Sequence, residues 1–318
     1  MKHYFIYNPA AGDGVLGKKF LEEFNELKEK TNFELFLHVT SSAGDATSYV
    51  EKIASENSED VCVYACGGDG TMNEVINGCM DYPNLIFGII PTGSCNDFLK
   101  IFKGYDFLSL DAQLKGTIKP IDVLKVDDHY CLNVANIGFD AKVNYDQIQA
   151  RSKCKTIKGA YNYAIIKNLF HNKPDYVVVK SDDKEIYRGK ALLMAFGNGG
   201  YYGGGYNCAP RAVIDDGLTD LLIVKKVPLI RFLTLIKKYK QGKLNFDPKY
   251  KNILINDRAS KFEVSSPNLL TVCLDGETIH LKKITIENLK QKIRFIFPKM
   301  KQTIWQKLSD SFLNKISC

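Results

Sequence analysis

Gly67-Gly68-Asp69-Gly70-Thr71-Met72-Asn73-Glu74 follows directly on the apolar run Val61 to Ala65. A strand that empties into glycines, an aspartate and a hydroxyl offers backbone N–H groups to phosphate oxygens and a carboxylate to a metal ion. A second loop of the same kind, Pro91-Thr92-Gly93-Ser94-Cys95-Asn96-Asp97, follows the apolar run Leu85 to Ile90. A third, Asn8-Pro9-Ala10-Ala11-Gly12, follows Tyr4 to Tyr7. Glycines after a strand also serve as plain turns into a helix. Repeated at successive strands, they fit an open α/β sheet whose ligand lies beyond the carboxyl ends of the strands. Neither a Gly-x-x-x-x-Gly-Lys-Ser/Thr loop nor a Gly-x-Gly-x-x-Gly fingerprint at the first strand-helix junction is present. The phosphates are therefore held by another geometry.

The elements that must position these loops alternate over residues 1–120. Strands are expected at Tyr4 to Tyr7, Phe33 to Val39, Val61 to Ala65 and Leu85 to Ile90, and helices at Leu16 to Lys30, Ala43 to Glu56 and Asn73 to Met80. Such alternation predicts a mainly parallel sheet with helices on both faces. From Ile121 the pattern turns to strands: Ile121 to Val126, Tyr130 to Ile137, Tyr176 to Lys180, Ala191 to Gly197, Thr219 to Val224, Lys261 to Ser265, Leu270 to Leu274 and Ile284 to Glu287. The expected fold class is α/β plus β. An N-terminal open, mainly parallel nucleotide-binding domain (1–120) is followed by a β-sandwich-like domain (121–287), with the chain returning to the first domain over 288–318.

The ordered set of motifs resembles the soluble bacterial diacylglycerol kinases of the YegS-like lipid kinase family over nearly the whole chain. The residues that carry the resemblance are Asn8-Pro9 with Gly12, Thr40 with Gly44-Asp45-Ala46-Thr47, Gly67 to Glu74, Pro91 to Asp97 and Asn136-Ile137-Gly138-Phe139-Asp140. Further along come Tyr202-Gly203-Gly204-Gly205, Pro210-Arg211-Ala212 with Asp215-Asp216-Gly217, and Asp275-Gly276-Glu277. The Gly-Gly-Asp-Gly-Thr element alone is shared with NAD kinases and phosphofructokinase-like enzymes. Ser94 stands where the family usually has threonine, which keeps the hydroxyl and loses a methyl.

The resemblance implies an ATP- and Mg2+-dependent lipid kinase, with diacylglycerol converted to phosphatidate as the first expectation. Phosphatidylglycerol, sphingoid bases and ceramide are other acceptors used in the family, and an NAD-kinase-like soluble acceptor or a catalytically inactive regulator are the alternatives. ATP is expected on Asn8, Pro9, Ala10, Ala11, Gly12, Thr40, Gly67, Gly68, Asp69, Gly70, Thr71, Met72, Asn73 and Ser94.

Phosphoryl transfer needs positioned phosphates, a cation and a group that orients the attacking hydroxyl. Asp69 is the candidate for the magnesium of Mg-ATP, and it reads also as a helix-capping aspartate. Asn96 and Asp97 read as weaker candidates or as caps of the next turn. Glu277 is the implied base, although Asp-Gly by itself signals a hairpin turn and only the resemblance reverses that reading. The family likewise places a structural magnesium on the positions of Asp216, Val213 and Leu218, where the residues alone read as a turn. Tyr201 to Gly205 with Tyr161, Tyr163 and Phe170 could flank an acyl-chain entrance, and at near-helical spacing they read equally as core.

The chain has 318 residues, 45% of them hydrophobic, enough for two cores. Its nine cysteines include no Cys-x-x-Cys pair, which suits buried thiols in a reducing compartment. Met1 to Pro9 begins a strand rather than a signal peptide, so a cytoplasmic, peripherally membrane-associated protein is expected.

The net charge of +7 is uneven. Lys225 to Lys251 holds nine Lys or Arg against one acid, with Leu229, Ile230, Phe232, Leu233, Leu235 and Ile236 on a helix that Pro228 can start. Met300, Ile304, Leu308, Phe312 and Ile316 repeat the pattern beside Trp305. Both segments suit anionic lipid headgroups, the tail equally a packing stripe. No nucleic-acid motif accompanies the charge, so a nucleic-acid partner is not expected. A homodimer is allowed, and the sequence leaves the oligomeric state open.

Overall fold

A computed structural model describes residues 1–154, 156–171, 173–245 and 247–301. The first part alternates β1 (Lys2–Tyr7), α1 (Val15–Lys30), β2 (Glu34–Val39), α2 (Asp45–Glu56), β3 (Val61–Gly67), α3 (Asp69–Cys79), β4 (Leu85–Pro91) and α4 (Leu110–Leu114). β2, β1, β3 and β4 are neighbours in that order and all parallel. Every residue of β3 is buried, as its unbroken apolar sequence requires of a strand covered on both faces. On one face Phe20 and Phe24 of α1 and Leu110 of α4 pack on Phe5, Tyr64 and Ile86. On the other, Val50 and Ile53 of α2 and Val75 and Ile76 of α3 pack on Ile6, Val63 and Phe87.

The second part runs β5 (Thr117–Val126), β6 (His129–Cys131), β7 (Val134–Gly138), α5 (Phe139–Ala150), α6 (Ile157–His171), β8 (Asp175–Ser181) and β9 (Lys184–Gly197). It continues with β10 (Tyr201–Tyr202), β11 (Tyr206–Asn207), β12 (Thr219–Lys225), α7 (Leu229–Lys240), β13 (Leu254–Ala259), β14 (Lys261–Leu274) and β15 (Glu277–Phe297). β8 pairs with both β9 and β14, which closes a circuit through β7 around Val179, Phe196, Phe262 and Val272. Phe232, Leu235 and Tyr239 of α7 pack into a further apolar cluster with Leu193, Leu222 and Cys208.

β15 joins the two parts. It runs antiparallel to β14 from Glu277 to Glu287, and its far end lies parallel to β4, with Arg294 opposite Ile86 and Phe295 opposite Phe87. Between Leu289 and Ile293 its register against β5 shifts. Gln291 takes φ 51° there, and the buried Asp122 carboxylate accepts from Gln291 N (2.7 Å) and Gly217 N (2.6 Å). This is a bulge held by a side chain, which bends the strand.

The expected fold class is the one observed, with several elements differing in extent. The helix expected from Asn73 begins at Asp69, because the glycines before it form its N-terminus rather than a free loop. Tyr130 to Ile137 is two strands, β6 and β7, interrupted at Leu132 and Asn133. The two runs Lys261 to Ser265 and Leu270 to Leu274 are one strand with a register shift over the polar residues between them. Ile284 to Glu287 is the middle of β15. Of the C-terminal stripe, Met300 is described and bridges Tyr105, whereas Ile304, Trp305, Leu308, Phe312 and Ile316 lie outside the described residues.

Candidate active site

The loops after β1, β3 and β4 meet at their backbones. Gly93 N donates to Gly67 O (2.9 Å), and a Cβ on Gly93 would stand 2.4 Å from Gly68 Cα. Gly12, at φ +71°, lies so close to Thr92 that a Cβ would stand 2.6 Å from its carbonyl oxygen. Asn8 ties the first loop to the second: its N–H donates to Cys66 O (3.0 Å) and its Nδ2 to Thr71 Oγ1 (3.0 Å), while Ala10 N donates back to Asn8 Oδ1 (2.9 Å). Thr40 joins from β2 through Thr40 N to Tyr7 O (2.8 Å).

The first hydrogen bond within α3 is Met72 N to Gly68 O (3.0 Å), and the N-cap Gly68 has no side chain to offer. The N–H groups of Asp69, Gly70 and Thr71 therefore precede the helical ladder and point out of its positive end, an arrangement that receives phosphate. Ser94 is exposed in the neighbouring loop. Met72 and Asn73 are placed differently from the rest of the set: Met72 packs in the core, and Asn73 Nδ2 donates to Tyr130 O (3.2 Å).

Asp69 is the charged residue at the centre. Burial, then the charges of Asp97 and Asp275, push its pKa up to about 7, against which the hydrogen bond from Asp97 N (3.0 Å) works. A half-buried carboxylate with two others near it suits a divalent cation, which would hold it ionised. Among the described residues no group of three or more His, Cys, Asp or Glu is arranged as a metal site.

Glu277 arrives from the second part of the chain, across the interface. Its Oε1 would lie 3.8 Å from a Cβ on Gly70, so the exposed carboxylate faces the N-terminal end of α3. Two residues hold it there: Asp275, which the sequence reading named only as part of the motif and its turn, and Asn144, which it did not name. Asp275, the first residue of the same turn, has φ 48°, and its buried carboxylate accepts from Leu132 N (2.7 Å), Asn133 N (3.2 Å) and Val134 N (3.0 Å). Asn144 Nδ2 of α5 donates to Gly276 O (2.6 Å) and Thr278 Oγ1 (3.3 Å). Partners more than a hundred residues apart leave no periodic signal in a sequence.

Asp97 does more than cap its own turn. Its carboxylate pairs with Lys100 and accepts from Gly204 N (2.7 Å), tying the Pro91 to Asp97 loop to the Tyr202 to Gly205 loop. Tyr202 itself is internal: its hydroxyl meets the Asp140 carboxylate and Tyr239 OH (2.5 Å). Burial pushes Asp140 up to about 6, and the Tyr202 hydrogen bond opposes that shift.

Asp216 is held by a separate set of partners. One carboxylate oxygen accepts from Leu218 N (2.9 Å) and the other pairs with Arg258, while Val213 is 42% exposed. Both oxygens thus face donors, and the arrangement as it stands fits a guanidinium rather than a bare metal ion. No helix among the described residues is long and apolar enough to cross a membrane.

Known proteins share this architecture. The diacylglycerol kinase catalytic domain matches residues 2–126, and the YegS C-terminal NAD kinase beta sandwich-like domain matches residues 133–296. The chain is 30% identical to a diacylglycerol kinase of Bacillus subtilis over 93% of its own length and 96% of the relative's. It is 33% identical to a diacylglycerol kinase of Staphylococcus saprophyticus, over 92% of its length and 94% of the relative's. A crystal structure of a diacylglycerol kinase from Bacillus anthracis superposes with a TM-score of 0.70 at 27% identity, covering 93% of this chain and 96% of that one. With both domains matched in order and the glycine loops facing Glu277, the chain belongs to the YegS-like family of lipid kinases and is a phosphotransferase.

Proposed function

We propose that the enzyme moves the γ-phosphate of ATP to the primary hydroxyl of diacylglycerol, giving phosphatidate and ADP. The observation that carries this reading is the placement of Glu277 Oε1 beside Gly70, which sets a carboxylate against the anion-binding end of α3 from a different domain. In the proposed assignment, residues 1–120 with the returning strand from 288 onward hold the nucleotide, and residues 121–287 hold the lipid.

The N–H groups of Gly68 to Thr71 and the loops at Asn8 to Gly12 and Thr92 to Ser94 bind the phosphates, with Thr40 beside them. Asp69 would hold Mg2+, and that ion would supply charge neutralisation at the transferred group. Glu277 accepts the proton of the acceptor hydroxyl as its oxygen bonds to the γ-phosphorus and the bond to the β-phosphate oxygen breaks. Asp275 and Asn144 position that carboxylate by fixing its turn. A second ion on Asp216 with the Val213 and Leu218 carbonyls is proposed on the resemblance alone, and it requires Arg258 to leave the carboxylate. Metal analysis of the dialysed protein decides it: one equivalent retained at Asp216 and lost in Asp216→Ala supports the ion, and none overturns it.

The test of the reaction is transfer of labelled γ-phosphate from Mg-ATP to a panel of lipids in mixed micelles, with NAD as a soluble acceptor. Labelled phosphatidate is expected, falling roughly 10²–10⁴-fold in Glu277→Gln with little change in nucleotide affinity. Label on another lipid would change the acceptor, and label on NAD alone would overturn the lipid assignment.

A further inference from the structure

Tyr161, Tyr202, Tyr206 and Tyr239 belong to one apolar cluster, and their hydroxyls divide into two kinds. Those of Tyr202 and Tyr239 are satisfied inside the fold, by each other at 2.5 Å and by the Asp140 carboxylate. Those of Tyr161 and Tyr206 have no hydrogen-bond partner among the described residues. Both side chains are half-buried, and the Tyr206 ring packs 5.9 Å from that of Tyr239. A phenol held in a packed wall with its O–H unmet is a donor available to a ligand. Burial, then the neighbouring Tyr206, Asp140, Cys95 and Asp97, push the Tyr161 phenol up to about 12, so it stays a protonated donor across the neutral range.

This wall stands beside the proposed catalytic centre. Asp97 N donates to Asp69 Oδ1 (3.0 Å), and the Asp97 carboxylate accepts from Gly204 N (2.7 Å). Gly204 lies in the turn of the hairpin that pairs Tyr202 with Tyr206, so two hydrogen bonds tie the Tyr206 hairpin to the carboxylate proposed for the ion. Tyr161 reaches the same place from α6. After burial, Tyr206 is the neighbour that acts on it most, and Cys95 and Asp97 of the Pro91 to Asp97 loop follow. The two phenols thus neighbour one another without bonding, a gap that a carbonyl oxygen with its two lone pairs can fill. We infer that the Tyr161 and Tyr206 hydroxyls hold an ester carbonyl of the acceptor lipid, so that this pair selects acylglycerols over lipids with the same primary hydroxyl and no ester. The inference rests on the lipid-kinase reading above and names the part of the acceptor that is recognised. An ester carbonyl has lone pairs and no hydrogen to give, so only donors recognise it. A diacylglycerol carries two such carbonyls on the glycerol carbons that precede its hydroxyl, whereas a sphingoid base carries none. A dialkylglycerol keeps the hydroxyl and both chains and lacks only the carbonyls.

The experiment compares dioleoylglycerol with its dioleyl ether in mixed micelles, for the full chain and for Tyr161→Phe, Tyr206→Phe and Tyr239→Phe. The wild type is expected to prefer the ester by roughly tenfold or more in kcat/KM, because the ether leaves both phenols without their acceptor. Tyr161→Phe and Tyr206→Phe are each expected to lose about threefold or more on the ester and nothing on the ether, with the KM for ATP unchanged. Tyr239→Phe, whose hydroxyl is internal, is expected to affect the two lipids alike. Equal losses on ester and ether in Tyr161→Phe and Tyr206→Phe show tyrosines that only support the fold, and overturn the inference. A wild type that phosphorylates both lipids equally well overturns it alone and leaves the transferase reading standing. Label on neither lipid overturns the transferase reading, and the inference falls with it. Should Tyr161→Phe fail to fold, Tyr206→Phe gives the same decision.

Discussion

Asp69 ionises near 3.8 in an unfolded chain and near 7 in the folded one. Between those values the folded state binds the extra proton, so stability falls as pH rises through the window and the full penalty stands above it. Asp69→Asn is expected to stabilise the nucleotide-free protein by roughly 2–4 kcal/mol at pH 8, a gain that shrinks as the pH is lowered toward 4. Urea unfolding of both proteins at several pH values measures it. Mg2+ is expected to raise the midpoint at pH 8 by more in the wild type than in Asp69→Asn, because a cation removes the Asp69 penalty only where that carboxylate exists. Asp275→Ala acts in the opposite direction. It strands the buried N–H groups of Leu132, Asn133 and Val134, and the expected cost is at least about 3 kcal/mol, read from the same unfolding curves.

At the scale of elements, the proposed phosphate site is a contact between the loops at strand ends. Gly68 and Gly93 face each other with no room for a methyl group, since a Cβ on Gly93 would also stand 2.6 Å from Gly68 N. Backbone cannot give way as the end of a flexible side chain can. Gly93→Ala is therefore expected to push the loops after β3 and β4 apart, lower stability by roughly 1–3 kcal/mol and weaken ATP binding by more than tenfold. Calorimetric titration with Mg-ATP and a thermal melt give the two numbers. Loss of ATP affinity without loss of stability would show that the close approach serves the ligand more than the fold.

Over the whole molecule, β15 is the structural link, with one end in β14 and the other against β4. Arg294 adds a cross-link by pairing with Asp60 (2.5 Å) and donating to Pro83 O (2.6 Å). A sheet continuous through both parts predicts one cooperative thermal transition, with calorimetric and van't Hoff enthalpies agreeing. Two separated transitions would contradict that coupling. The sequence alone determined the parts whose signals are local: the parallel α/β half, because buried strands such as β3 are continuously apolar, and the glycine loops, because their backbone geometry restricts the residue type. It also contained Asp69 and Glu277 within recognisable motifs. Only the tertiary structure decided that Glu277 faces Gly70, that Asp275 and Asn144 hold its turn, that α3 starts at Asp69, and that Phe232, Leu235 and Tyr239 of α7 turn inward. Each of those depends on contacts between segments far apart in the chain, or on which face of a helix finds a neighbour, and periodicity along one segment carries no record of what packs against it.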